Sequence, residues 1–502
     1  MLFLRIPSLK PLISLVLFIP CLKLLISGFR PLFSLRSHYT ELESEAPFAI
    51  LAVTMLVNSG IPPLVAFEAL SDLRDILPHC SFEILRIKRD SMLHTRHISE
   101  QLRFELPHAK GTWSRLLYAI VNIERTGRSP ERLMLDLMNL VMQDLRTELS
   151  RRSEYFRTLL SIVIVLFGAF PMLSAVLFTI LASIMIIPIV FVFVFLSIFI
   201  GIAYMVLIDT QVPRIIDYTA IYRKISLKYI PLSIIISVLF YSLVMYFNLT
   251  LPIMRATSLA VSLMIFALPA WIEFRREASI VDDIVEKLPI LMRDLADEIY
   301  RGAPPLLALE RISEVHSYDV WMDRLISLII RRIRITGSIR EALKGIQSLL
   351  PYPMRIALGL LTLSEEYGAR AESYHLLADI LNEYMISVRE FRKGNQIYRW
   401  VSLFIVTLSL SLIYILFHIV VYKVAMISEL IREVPSPLPI SVIKPNEIPI
   451  AKDAIYSMVL VNSFILSLII GKTLDWRIGS GFREAFIISV MMILIVLLES
   501  LL

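Results

Sequence analysis

Long apolar runs alternate with long charged stretches along this chain. Seven of the apolar runs approach or exceed the roughly 20 residues that a helix needs to cross the hydrocarbon core of a bilayer. We therefore predict membrane-spanning helices at residues 159–180, 181–208, 228–247, 254–272, 400–421, 454–470 and 485–502.

The N-terminal apolar run, residues 12–29, differs from the other seven because Pro20 and Lys23 interrupt it. Arg5 and Lys10 precede the run, which is a pattern that signal peptides share. No small-residue cleavage site follows it, however. We therefore expect residues 1–39 to hold a retained first helix or an anchor in the membrane plane, with a signal peptide as the alternative.

The two charged stretches, 40–158 and 275–397, are predicted to be helical modules outside the membrane. The first has 15 Lys and Arg against 16 Asp and Glu, and the second has 17 against 18. Such a balance is typical of folded surfaces with many ion pairs, not of a basic tail. In the second stretch Leu288, Leu291 and Leu295 recur at helical spacing.

The two modules contain copies of one segment. Residues 47–68 align with residues 289–310 without a gap, at a constant spacing of 242 residues. In both copies a helical pattern ends at a glycine, which tolerates positive φ, and restarts at prolines, which suit the first turn of a helix. We therefore expect a helical hairpin in each copy and a small helix bundle in each module. The structural turn positions are Pro47, Gly60, Pro62 and Gly127 in the first copy and Pro289, Gly302, Pro304 and Gly368 in the second.

The predicted fold is all-α, a polytopic membrane protein with two duplicated cytoplasmic helix-bundle modules. Basic residues exceed acidic ones in the segment 209–227, which places it in the cytoplasm, whereas acidic residues exceed basic ones in the proline-rich loop 425–453, which we expect to be external. The expected order is an N-terminal anchor (1–39), a first module (40–158), four membrane helices (159–274), a second module (275–397) and three membrane helices (398–502).

The composition excludes several classes of protein. Hydrophobic residues make up 57% of the chain and the mean hydropathy is +0.71, which indicates a membrane protein. The net charge of +6 is spread beside apolar spans, so we do not expect nucleic-acid binding. The two cysteines, Cys21 and Cys80, offer no disulfide framework.

Motifs with enzymatic chemistry are weak. The sequence Gly471-Lys472-Thr473 resembles the end of a phosphate-binding loop, but Leu466 stands where that loop needs a glycine. Four histidines accompany Cys80 in the first module, yet nothing fixes a full set of metal ligands, and a solvated surface is the better interpretation; they are His79, His94, His97 and His108. We therefore expect no enzyme, no catalytic residue, no cofactor and no metal.

Three features together resemble one family. The first is the duplicated Gly-x-Pro-Pro turn; the second is the pair of acidic motifs that precede a later glycine; the third is a glycine-rich segment between the last two spans. Over about residues 40–502 this combination resembles the membrane platform protein of archaeal type IV filaments, meaning the archaellum and pili. It also resembles the F-type component of bacterial type II secretion and the Tad pilus platform. The residues of the second feature are Glu124, Glu365 and Glu366. Those of the third are Gly471, Gly479 and Gly481, which we expect to be structural turn positions.

The resemblance implies a function that the residues alone do not. Such a platform sits at the base of a filament in the lipid bilayer, receives pilin subunits there and couples to a hexameric cytoplasmic ATPase, as a homo-oligomer. Glu124, Glu365 and Glu366 are then candidate ATPase contacts, although carboxylates near a helix end are also typical caps. Motion would pass through residues 155–160 and 392–400, where charged helix continues into apolar span.

Two other functions remain open. A transporter is disfavoured because the predicted spans contain almost no ionisable residues. A membrane receptor whose cytoplasmic modules bind a signalling partner is not excluded by the sequence. Trp476 stands where the platform family often has a small residue, which is a departure from the third motif.

Overall fold

The computed structural model describes residues 38–127, 129–181, 186–211, 219–246, 254–346, 350–421 and 448–501. All regular structure in these ranges is helical. Six of the described helices are long and apolar enough to cross a membrane. The predicted all-α, polytopic membrane fold is therefore confirmed. The predicted run 12–29 and most of the proline-rich loop, up to residue 447, lie outside the described residues.

The first module consists of five helices and the beginning of a sixth. The sixth helix has 52 residues and continues from the module into an apolar span. The elements are α1 (His38–Asn58), α2 (Pro63–Ala69), a 3-10 turn (Leu70–Asp72), α3 (Pro78–Leu93), α4 (Ile98–Glu105), α5 (Gly111–Thr126) and α6 (Pro130–Leu181).

Three further helices lead to the second module, and three follow it. The helices between the modules are α7 (Ile186–Gln211), α8 (Thr219–Tyr246) and α9 (Met254–Tyr300). The second module continues with α10 (Pro305–Val315), α11 (Val320–Thr336), α12 (Ile339–Leu343), α13 (Tyr352–Tyr367) and α14 (Ala371–Asn395). The chain then forms α15 (Ile397–Ile415), which ends in a π-helical turn (Leu416–Val421), α16 (Ile448–Asp475), a 3-10 turn (Ile478–Gly481) and α17 (Phe482–Leu501).

One predicted span has different limits in the structure. The helix α16 extends beyond the predicted 454–470 at both ends, so the last residues of the predicted loop 425–453 are helical. Asp453, in the second turn of α16, accepts a hydrogen bond from the backbone N–H of Ala256 at 2.8 Å, which ties this end of α16 to the start of α9. The predicted span 228–247 falls largely on α8, where the described apolar stretch covers Leu227–Ile236.

The internal repeat is visible in the turns that follow α1 and α9. These helices end at Asn58 and Tyr300, which are 242 residues apart, and the next helices start at Pro63 and Pro305 with the same spacing. Between them Gly60 and Gly302 have φ of +89° and +94°, a conformation that side chains with a Cβ rarely adopt. Pro62 and Pro304 directly precede the restarted helices, at their N-caps. Gly127 and Gly368 likewise end α5 and α13 in the left-handed conformation.

Pro47 and Pro289 are not at turns, which corrects the prediction made for them. Both prolines lie inside helices, Pro47 in α1 and Pro289 in α9. Each removes one backbone hydrogen bond from its helix. The helices continue because the residues on both sides are packed: Ala46 and Phe48 flank Pro47 in the core, and Leu288 is fully buried beside Pro289.

The two modules share one core, whereas the sequence suggested separate bundles. The ring of Phe48 on α1 packs edge-on against Tyr352 of α13 and Tyr384 of α14, with centroids 5.8 and 5.6 Å apart. Ser373 at the start of α14 donates a hydrogen bond to the carbonyl of Met55 at 2.8 Å. Displacing one module relative to the other would therefore expose apolar surface and break hydrogen bonds.

Two carboxylates on α1 cap other helices of the first module. Glu45 accepts hydrogen bonds from the backbone N–H groups of His79 and Cys80, both at 2.9 Å, at the start of α3. Glu43 accepts from Thr112 and Trp113, at 2.9 and 3.2 Å, in the first turn of α5. A carboxylate at these positions pairs N–H groups that lack partners within their own helix. The acidic segment at the start of α1 is therefore structural.

Glu45 is expected to make the stability of the first module depend on pH. Burial raises the pKa of Glu45 to about 7, although the two N–H donors oppose that shift. Between its usual pKa and about 7 the folded protein keeps a proton that the unfolded chain has lost, so stability falls as pH rises through this range, by about 3 kcal/mol in all. The variant Glu45→Gln should lose this dependence, measured as melting temperature between pH 5 and 8. Glu131→Gln, which removes an exposed carboxylate, controls for net charge, and identical profiles for Glu45→Gln and wild type would contradict the assignment.

The helix α16 forms the centre of the membrane bundle. The helix is apolar on all sides. Its most apolar 18-residue stretch is 89% buried, against α6, α7, α9, α15 and α17. Its neighbours present large apolar side chains outward, as helices in contact with lipid do. Examples are Phe191, Phe195 and Phe199 on α7 and Phe404 and Leu408 on α15.

Candidate functional site

Long helices connect the modules to the membrane bundle without a break. From Pro130 at the start of α6 to the apolar stretch near residue 159 there are almost thirty residues, which correspond to roughly 40 Å of helix. The helix α14 starts at Ala371 and continues through α15 as one helical element as far as His418. The turns that precede these helices, at Gly127 and Gly368, therefore lie at the ends of the modules farthest from the membrane.

The three candidate contact residues lie beside these distal turns. Glu124 is on the last turn of α5 and is exposed, and the described residues give it no ion pair. Glu366 forms a two-pronged ion pair with Arg340, whose Nη1 also donates to the carbonyl of Asp72 in the first module at 3.4 Å. Glu366 thus supports the contact between the two modules.

Glu365 has a structural role of its own. Its side chain is half-buried, and burial followed by the charge of Glu366 raises the pKa of Glu365. The backbone N–H of Ile339, the first residue of α12, bonds to the Glu365 carboxylate and opposes that shift. Among the three candidates Glu124 is therefore the one that is both exposed and without an ion pair to the described residues.

An ion-pair cluster joins the second module to the membrane helices. Asp282 on α9 accepts two hydrogen bonds from Arg477, at 3.0 and 3.2 Å, and lies 3.4 Å from Arg392 on α14. Nearby, Arg399 on α15 pairs with Asp475 and lies 3.3 Å from Glu484 on α17. We call these six residues the edge cluster, because they lie where the apolar spans begin.

The charges of the edge cluster balance. Three arginines face three carboxylates, and Arg477 and Glu484 are only 4% and 1% exposed. Buried charges are costly unless each has a partner, and removal of one partner leaves the other unpaired in a poorly solvated site. The cluster therefore fixes the loop 476–481 against α9, α14 and α15.

Trp476 strengthens the same connection. It follows the last residue of α16 with φ of +60°, a left-handed conformation that costs about 1 kcal/mol or more for a residue other than glycine. Its ring is 8% exposed and packs against Phe391 with centroids 5.0 Å apart, while the Arg392 guanidinium lies 5.8 Å from its centroid. The departure of this residue from the family pattern thus has a structural reason, since the ring fills the space between α14 and α16.

The glycines of the third motif allow close approach of backbones. A Cβ on Gly481 would lie 2.6 Å from the carbonyl carbon of Ser467, and one on Gly471 would lie 2.9 Å from the Cα of Gly481. A Cβ on Gly479 would meet the ring of Phe274. Gly479 and Gly481 belong to the 3-10 turn, but Gly471 lies inside α16, so the prediction of a turn at Gly471 is wrong. The helix continues through Gly471 because its neighbour Lys472 and the following residues are buried within the bundle.

The edge cluster has only a partial signal in the sequence. Arg392 and Arg399 lie within the predicted junction 392–400, but no local pattern points to Asp282 or Arg477. Glu484, a carboxylate in the first turn of an apolar helix, is the one member whose position was itself a signal. The pairing joins residues 76 to 195 positions apart, which no local pattern encodes.

The first module can now be compared with known proteins. Residues 49–178 match the family model of type II secretion system (T2SS), protein F. The matched segment runs from α1 to near the end of α6 and so includes both the module and its continuation into the membrane. The comparisons with curated proteins and with solved structures give no match. The F-type domain indicates a membrane platform protein of a secretion or pilus-type system.

Proposed function

We propose that this chain is the integral membrane platform of an archaeal type IV pilus-like or archaellum assembly machine. In this role it couples a hexameric cytoplasmic ATPase to the insertion of pilin subunits into a filament, as a homo-oligomer. The observation that carries the proposal is the F-type match to a module whose last helix continues as a membrane span. The second copy of the module and the glycine-rich third motif favour the archaeal filament class within that family.

The distribution of basic residues supports a cytoplasmic location for both modules. Positive charge gathers at the module ends of the spans, where the positive-inside rule expects the cytoplasm. The short segment 209–227, which is on the same side in the proposed topology, also has an excess of basic residues. The basic residues at the module ends include Arg157, Arg275, Arg276, Lys393 and Arg399.

The continuous helices supply a path for motion. Force applied at the distal ends of the modules would move α6, α9 and α14 as stiff rods, because no loop interrupts them before the membrane. The edge cluster then connects α9 and α14 to the end of α16, which is the buried centre of the membrane bundle. Rigid-body movement of the modules would in this way reach the helices among which a pilin subunit must be received.

Capture of the ATPase tests the proposal. The detergent-purified full-length chain should retain the filament ATPase encoded in the same genome, and Glu124→Arg should reduce the retained amount several-fold because it reverses an exposed charge at the distal end. Asp136→Arg is the matched control, since Asp136 is exposed on α6 but closer to the membrane. We use the full chain because removal of 275–397 would also remove part of the core that α1 shares.

Two outcomes would count against the proposal. If the folded wild-type chain captured no ATPase with or without nucleotide, the receptor alternative would replace the platform. Equal losses for Glu124→Arg and Asp136→Arg would show a general charge effect and would remove Glu124 as a contact residue.

A further inference from the structure

A polar cleft lies between α6 and α14, the helices that lead from the two modules to the membrane. It has a volume of about 120 Å³. Its lining includes three serine hydroxyls, from Ser150, Ser153 and Ser387, and the guanidinium of Arg157. Nothing in the platform function described above uses this cleft.

Arg157 is held in the cleft by one side of its guanidinium. Its Nε donates to the side-chain oxygen of Asn395 at 3.1 Å, and the amide nitrogen of Asn395 donates to Ser153 at 3.1 Å. The described residues offer no acceptor to the two terminal nitrogens of Arg157. Gly394 makes room for the group, because a Cβ there would overlap the guanidinium. The arginine is thus positioned while most of its donors remain available.

Three other charged residues line the cleft, and in the described structure none of them pairs with Arg157. Arg146 lies at the end farther from the membrane and pairs with Glu390 at 3.5 Å, so these two charges offset each other. Glu154 also lines the cleft, and its side chain is exposed to solvent. The Ser153 hydroxyl already donates to the side-chain oxygen of Asn395 at 3.4 Å. The available donors at the lower end are therefore the two terminal nitrogens of the Arg157 guanidinium.

The position of Arg157 along α6, next to the start of the apolar stretch, indicates which anions are near it. Arg157 precedes the apolar stretch that begins near residue 159, and Ser153 is one helical turn farther out, roughly 6 Å along the axis. The headgroup layer of a bilayer is about 5–8 Å thick on each side. The lower end of the cleft is therefore level with lipid phosphates.

We propose that this cleft binds the phosphate of an anionic phospholipid headgroup. The planar guanidinium of Arg157 donates two parallel hydrogen bonds to phosphate oxygens, which is the geometry that arginine favours for this group. The exposed hydroxyl of Ser150 lines the same cleft farther from the membrane. A lipid bound there contacts α6 and α14 together and stabilises their crossing at the membrane surface.

The test compares lipids of different charge on the full-length protein. Phosphatidylglycerol added to the detergent-purified chain should raise the melting temperature more than phosphatidylcholine does. For Arg157→Gln the apparent affinity for phosphatidylglycerol should fall about tenfold, because charge-assisted hydrogen bonds are lost. Arg151→Gln is the matched control, since Arg151 is exposed on α6 less than two helical turns from Arg157 and does not line the cleft; it should keep wild-type affinity.

A second variant covers the case in which Arg157→Gln fails to fold. Ser150→Asp places a negative charge in the cleft and leaves the bond between Arg157 and Asn395 intact, so it should also abolish the preference for phosphatidylglycerol. Equal losses for Arg157→Gln and Arg151→Gln would overturn the proposal, because they would indicate a diffuse basic surface. If inorganic phosphate alone gave the full stabilisation, the lipid would be ruled out as the source of the phosphate.

Discussion

Gly481→Ala is expected to destabilise the membrane bundle by about 3 kcal/mol, at the upper end of the cost of overpacking a core. The added methyl group would lie 2.6 Å from the carbonyl carbon of Ser467 and 3.0 Å from the Cα of Leu468, both backbone atoms of α16. A helix backbone in the centre of a bundle cannot move aside for one methyl group without shifting its other contacts. The melting temperature of the detergent-purified chain, and its monodisperse yield, would measure the loss.

Gly201→Ala provides the matched control for this prediction. Gly201 lies in the membrane helix α7, and its added Cβ would meet a methyl group of Ile465 at 2.5 Å. A side-chain methyl group gives way more readily than a helix backbone, although the χ1 of the β-branched Ile465 is restricted, so the loss should be smaller than for Gly481→Ala. If the two variants had the same stability, the close backbone crossing of α16 and the 3-10 turn would not be present in the protein.

The elements of this fold could be read from the sequence because their signals are local. Six of the seven predicted apolar runs fall on described helices that are long and apolar enough to cross a membrane, and the repeated glycine and proline positions placed the breaks at Gly60 and Gly302. Prolines were less informative. Pro47 and Pro289 carried the same local signal as Pro62 and Pro304, yet only the latter pair lies where a helix starts. The helices continue through Pro47 and Pro289 because the helical turns on either side of these prolines are buried.

The contacts between elements could not be read in the same way. Phe48 is one apolar residue among many in α1, and nothing in its neighbourhood indicates that it packs against residues of the second module. Glu43 and Glu45 looked like surface charge, but they pair the first N–H groups of α5 and α3. In each case the partner is distant in sequence, and only the folded geometry brings the groups together.

The edge cluster shows how these long-range contacts bear on function. A set of partly buried ion pairs is a poor source of stability, since desolvation offsets much of the attraction. It is, however, specific in geometry, because each arginine must meet its carboxylate for the charges to be tolerated. The cluster is therefore better suited to fixing how the second module sits on α16 and α17 than to holding the protein folded. The effect of the cluster on the free energy of unfolding can therefore be measured separately from its effect on the transmission of motion between the second module and the membrane bundle.

A double-mutant cycle at Asp282 and Arg477 should separate the contribution of the edge cluster to stability from its contribution to the transmission of motion. Asp282→Asn removes the Asp282 carboxylate from the Arg477 guanidinium, which is only 4% exposed, and should cost about 2 kcal/mol of stability, less than for a fully buried pair because Asp282 itself is 43% exposed. Adding Arg477→Met removes the charge that has lost its Asp282 partner, so the double variant should be more stable than Asp282→Asn alone. Melting temperatures of the four proteins measure this interaction.

The same four proteins test whether the cluster transmits motion. In the proposed platform function, the double variant should be folded and should still capture the ATPase, yet it should fail to assemble filaments, because the ion pair between α9 and the loop before α17 is absent. Arg293→Gln is the control, since Arg293 on α9 and Asp379 on α14 form an exposed pair at 3.1 Å, and its loss should change stability by less than about 1 kcal/mol and leave assembly intact. Normal assembly by the double variant would show that the Asp282–Arg477 pair does not transmit module movements and that they reach α16 through other contacts.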